Sequence, residues 1–95
     1  MKITELHTEE KALSIVPLKK NGEGTLLSIH LEKGGELPKH TTQVPAVLIC
    51  LSGSTWYSTE KGEKVQMQAG DFVHIEPQVE HRLEATEISE LLLMK

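Results

Sequence analysis

The side chains with the most chemistry to offer are five histidines and one cysteine: His7, His30, His40, His74, His81 and Cys50. A neutral imidazole can ligate a metal, or donate one hydrogen bond and accept another. Two of these histidines stand in related settings. His40 follows the glycine-rich turn "GGELPKH", and His81 follows "GDFVHIEPQVEH". Two imidazoles alone make a poor metal site. Catalytic zinc usually has three protein ligands, and non-haem iron usually has two histidines with a carboxylate. Cys50 lies inside the apolar run "VLICL" and reads as a buried core thiol rather than a nucleophile. His30 and His74 sit within short strand-like segments, where a lone histidine more often faces solvent or is a satisfied core group than a ligand. His7, near the terminus, is expected to face solvent.

The segments that must position these residues are short and repeatedly punctuated. "ALSIVPL" runs toward Asn21-Gly22, a strong hairpin signal. "TLLSIHL" alternates, with Leu27, Ile29 and Leu31 on one face and Leu26, Ser28 and His30 on the other. "EKGGELP" reads as a loop, and "VPAVLICL" as a strand buried on both faces. "TWYST", "KVQMQ" (Val65 and Met67 inward), "FVHI", "HRLEAT" and "SELLLMK" complete the series. The only helical candidate lies around Glu5 to Ala12. Short strands with closely spaced turns predict an all-β sandwich or barrel in a single domain, residues 1–95.

Composition narrows the function classes. Ten basic against fourteen acidic residues give a net charge of −4, and the only aromatics besides histidine are Trp56, Tyr57 and Phe72. A basic groove lined with stacking rings is not available, so a nucleic-acid partner is not expected. No apolar run approaches membrane-spanning length, and the charged N-terminus does not read as a signal peptide. The expectation is a cytoplasmic protein with no membrane partner.

The segments "GGELPKHTTQVPAVLICLSG" and "GDFVHIEPQVEHRLEA" together resemble the two motifs of the small single-domain cupins, the cupin 2 conserved barrels. Gly34 has five residues between it and His40; Thr42 falls on the family's second histidine, Ala46 on its glutamate and Gly53 on its closing glycine. Gly70-Asp71 leads to His81 in the second motif, with Pro77 one place later than usual. The resemblance covers residues 24–95, with 1–23 expected as N-terminal strands packing on the barrel. It implies a cupin-type double-stranded β-helix, or jelly roll. In the family, three histidines and a glutamate bind a divalent metal (Zn, Ni, Fe, Mn or Cu). Carried over residue by residue, only His40 and His81 survive, with Gln43 and His74 as replacement ligands to be tested; the alternative is a barrel with no metal. The leading reading is a small-molecule-binding barrel using His40, Thr42 and His81, with a weakly held metal at most on His40 and His81. The alternatives are a metal-dependent dioxygenase or isomerase with a non-standard ligand set, and a structural or sensory dimerisation module. A homodimer is expected, because a small barrel has sheet edges to protect and Trp56 and the "LLLM" run suit an interface.

Overall fold

The computed structural model describes every residue except Glu9. A 3₁₀ turn, Ile3–Leu6, precedes nine strands: β1 (Leu13–Asn21), β2 (Gly24–Leu31), β3 (Glu36–His40), β4 (Ala46–Ser52), β5 (Ser54–Thr59), β6 (Lys64–Gln68), β7 (Phe72–Ile75), β8 (His81–Ala85) and β9 (Ser89–Met94). They form two antiparallel sheets, a five-stranded one in the order β1-β2-β9-β4-β7 and a four-stranded one in the order β3-β8-β5-β6. The chain crosses repeatedly from one sheet to the other, which is the jelly-roll arrangement.

Strand alternation delivers one face of each sheet to the shared core. Ile29, Leu31, Leu48, Cys50 and Leu91 come from the larger sheet, and Tyr57, Met67 and Leu83 from the smaller; all are at most 2% exposed. Each fully buried aliphatic side chain contributes roughly 1.5–3 kcal/mol. The thiol of Cys50 lies within this core, and burial raises its pKa above the ordinary value. The β1–β2 hairpin closes through Asn21, whose side-chain oxygen accepts from the Glu23 amide at 2.9 Å.

Several expectations are corrected. "ELPKH" is not loop but strand β3. Pro38 is tolerated there because β3 is a sheet edge and a missing amide costs no ladder bond on that side. The register shift between Leu37 and His40 marks the irregularity. β4 is not buried on both faces: Val47 and Ile49 are half-buried and Leu51 is exposed, because the outer face of the larger sheet is only partly covered along those positions. Val65 is exposed at 37%, although Met67 is fully buried. The helical candidate reduces to the 3₁₀ turn Ile3–Leu6, with Glu9 outside the described residues. His7 does not face solvent; its side chain is 2% exposed.

Candidate functional site

His40 is the last residue of β3, His81 the first of β8 and Thr59 the last of β5. His40 pairs with His81 across the β3–β8 ladder, and His81 with Thr59 across β5–β8. All three therefore gather at one end of the four-stranded sheet, on the side that carries Leu37, Leu83 and Tyr57. The two imidazole rings lie 4.1 Å apart between centroids, inclined at 60°. The Tyr57 ring stands 6.0 Å from that of His81.

Local sequence explains how each ring is aimed. Glu76-Pro77-Gln78-Val79 is a turn closed by the Val79 amide donating to the Glu76 carbonyl, with Pro77 at its second position and Gln78 at φ 66° in its third, the conformations of a type II turn. The Gln78 amide donates to the Thr42 carbonyl at 2.9 Å, so the loops before β4 and β8 are tied together.

Both rings are held in the same way. Nδ1 of His40 bonds the Pro38 carbonyl at 2.9 Å and Nδ1 of His81 the Val79 carbonyl at 3.2 Å. A carbonyl only accepts, so each Nδ1 carries the proton and each neutral ring keeps its Nε2 lone pair free. This is the orienting contact that metal-bound histidines also use. His81 is 3% exposed. Burial lowers its pKa below the ordinary value; the Val79 bond opposes this, while His40 and Lys95 add to it. The stability held by neutral His81 is complete above about pH 6.5 and is lost as pH falls below that value toward its lowered folded pKa.

The remaining candidate residues lie elsewhere. Thr42 is buried, and its hydroxyl donates to the Val44 carbonyl at 2.9 Å. That bond spends the hydroxyl on shaping the loop. Gln43 is exposed and lines, with Thr42, a separate cleft of about 560 Å³ beneath the β1–β2 hairpin. His74 is exposed, opposite Val47 in the register and edge-on to Phe72, on the outer face of the larger sheet. His30 alternates with the core residues Ile29 and Leu31 and so also faces outward. Ala46 is packed into the core. Among the described residues no group of three His, Cys, Asp or Glu side chains could hold a metal ion. The residues present thus supply two imidazoles and no carboxylate, and they do not fit the full ligand set of a resident catalytic metal.

A separate cleft of about 250 Å³ touches His81 and is lined otherwise by Lys39, Ser58, Thr59, Glu60, Glu80 and Arg82; His40 does not line it, and Ser58 and Arg82, alternating with Thr59 and His81, face away from the paired imidazoles. Cations, carboxylates and hydroxyls converge there, a lining suited to a small polar molecule. Sequence reasoning missed two features. Thr55 is fully buried with a hydroxyl oxygen that has no partner among the described residues. A polar group formed by His7, Ser14, Ser28, His30, Glu32 and Glu90 lies on the outer face of the larger sheet. Glu90 inside the apolar run "SELLLM" was the one available hint of it.

A two-sheet antiparallel barrel with paired histidines at a strand end defines the class. Residues 27–94 match the family model described as "Cupin domain", Cupin_2, and the chain belongs to this family. No curated protein matches the sequence significantly. Solved structures share the fold. A conserved protein of unknown function from Streptococcus pyogenes is 21% identical with a TM-score of 0.84, over 99% of this chain and 82% of that one. A cupin superfamily protein from Desulfitobacterium hafniense is 10% identical with a TM-score of 0.87, over 98% and 84%. KdgF from Halomonas sp. is 16% identical with a TM-score of 0.81, over 90% and 80%.

Proposed function

We propose that this cupin binds a small polar molecule at the His40–His81 pair and holds a divalent metal there only loosely. The observation that carries the reading is the paired imidazoles, each with Nδ1 committed to a backbone carbonyl and Nε2 left free. Two lone pairs accept hydrogen bonds from hydroxyl or amine groups of a ligand. The dioxygenase or isomerase reading loses support, since Gln43 and His74 stand apart from the pair.

Thermal-shift screening of sugars, polyols and small organic acids is the test. Compounds that stabilise the wild type should lose that effect in both His40→Ala and His81→Ala. Compounds that stabilise all three proteins equally would place the binding elsewhere. Cobalt or nickel should bind weakly, exchange readily and depend on both imidazoles. Each ring must be neutral to ligate, so affinity falls on acidification as His81, whose pKa burial holds below the ordinary value, takes up a proton. Cobalt binding that is tight, or unchanged in either variant, would sink the loose-metal reading.

The same reading includes a homodimer formed through the outer face of the larger sheet. Met94 and Phe72 are 49% and 60% exposed, and Leu92, Val47 and Ile49 are half-buried beside them. Such a contiguous apolar area commonly marks an interface. Sedimentation at high micromolar concentration should give the mass of two chains, and Phe72→Glu should shift it toward one. A wild type that sediments as a single chain would refute the dimer.

A further inference from the structure

Among the described residues, His7 ties the N-terminal segment to the outer face of the larger sheet. Nδ1 of His7 bonds the Ser14 hydroxyl of β1 and Nε2 the Ser28 hydroxyl of β2, each at 2.8 Å. Ser28 is fully buried and the His7 side chain is 2% exposed. The 3₁₀ turn just before His7 lays the half-buried Ile3 and Leu6 over this region.

Among the described residues, the charged groups facing His7 come from two strands. From β2 comes His30, whose ring centroid is 5.4 Å away. Its Nδ1 meets Glu90 at 2.5 Å and its Nε2 meets Glu32, just beyond the strand, at 2.8 Å. Carboxylates only accept, so a ring bonded to one at each nitrogen is an imidazolium. From β9 comes Glu90, whose Oε2 is buried without a hydrogen-bond partner among the described residues and lies 3.9 Å from Nε2 of His7. β1 contributes the uncharged Ser14, and on the segment itself Lys2 and Glu5 are exposed.

We infer that the segment is an acid-released latch, docked while His7 is neutral and freed when His7 takes up a proton. A second imidazolium in this pocket would be buried beside that of His30, and Glu90, already bonded to His30, offers it only a contact at 3.9 Å. Once the segment swings out, water solvates the charge instead. Burial does hold the pKa of His7 below its ordinary value; Glu90 draws it back upward and His30 adds to the lowering. For His30 burial also opposes the charge, but the bonds to Glu90 and Glu32 outweigh it and raise its pKa. The sign follows. Docking is at full strength above about pH 6.5, the free value. It weakens by up to about tenfold per pH unit below that, until the lowered docked pKa is reached.

Amide hydrogen exchange of the full chain between pH 7.5 and pH 5, corrected for intrinsic rates, tests this alongside NMR titration of the His7 ring. Protection of residues 3–7 should fall by about tenfold or more on acidification, while β2 and β9 stay protected and His7 titrates below 6.5. His7→Gln keeps a donor and an acceptor for the two serines but no titrating group. In that variant the segment should stay docked at pH 5. Protection independent of pH, loss of protection in step with the whole sheet, or undiminished acid release in His7→Gln would each overturn the latch.

Discussion

Placing histidine at Thr42 and glutamate at Ala46 should give this barrel a divalent metal site tight enough to govern its stability. These are the positions where the family motif carries its second histidine and its carboxylate. Here Thr42 is 4% exposed with its hydroxyl spent on the Val44 carbonyl, and Ala46 is 4% exposed within the core. The two native imidazoles already have the carbonyl contacts that orient metal-bound histidines. Removing only an outer-shell partner changes metal affinity by about 10–100-fold. Two added direct ligands should therefore raise cobalt affinity of Thr42→His/Ala46→Glu by at least about a hundredfold. Without metal, the new carboxylate is buried and unpaired, at a cost of several kcal/mol, a large part of a typical domain's 5–15 kcal/mol. The double variant should melt well below wild type in chelator and recover with cobalt or zinc. Ala46→Glu alone should show the loss with much less recovery. A double variant whose cobalt affinity equals that of wild type would mean that the four positions do not converge on one point.

Gly53→Ala should be the most damaging single methyl addition in the chain. Gly53 links β4 to β5 at φ 87°. A Cβ there would run into the Ile88 carbonyl oxygen and the Cα and hydroxyl of Ser89. Ser89 cannot retreat. It is fully buried, and its hydroxyl accepts from the Ser54 amide at 3.0 Å and lies 2.8 Å from the Glu87 carbonyl. Strain of the left-handed backbone costs about 1–3 kcal/mol, and overpacking about 1–3 kcal/mol more. At about 4–8 °C per kcal/mol for a domain of this size, Tm should fall by about 10 °C or more. Gly62→Ala is the control, because its φ of 90° is similar but open space surrounds it. It should lose only the backbone part. Equal losses at the two positions in thermal melts would show that the Ile88–Ser89 contact contributes nothing.

Much of the fold was legible because it depends on alternation and punctuation, which are local. The apolar alternation of Ile29 and Leu31, the Asn21-Gly22 hairpin and the buried thiol of Cys50 all stand as read. β3 was not legible, because Pro38 and two glycines carry a loop signature. Pairing with β8 makes "ELPKH" a strand, and only the topology places it at an edge where proline is harmless. Val65 and the outer side of β4 were misread for a related reason. Apolar identity says what a side chain prefers, while the opposing layer decides whether it is covered.

The site divides along the same line. Motif spacing singled out His40 and His81, since each follows its turn at a fixed distance along the chain. Their meeting at 4.1 Å is decided by the β3–β8 register, and their free Nε2 atoms by carbonyls two residues back. Sequence could not place Gln43, His74 or His7, because a lone polar side chain in a strand or loop carries no local mark of the face it takes. The His7–His30–Glu90 group joins residues up to 83 positions apart that become neighbours only when β2 and β9 pair and the N-terminal turn folds over them. The sequence by itself determined most of the strands, β3 excepted, and which residues alternate within them. The tertiary structure alone decided which of the polar side chains are buried together, because burial is a property of the partner layer and not of the strand.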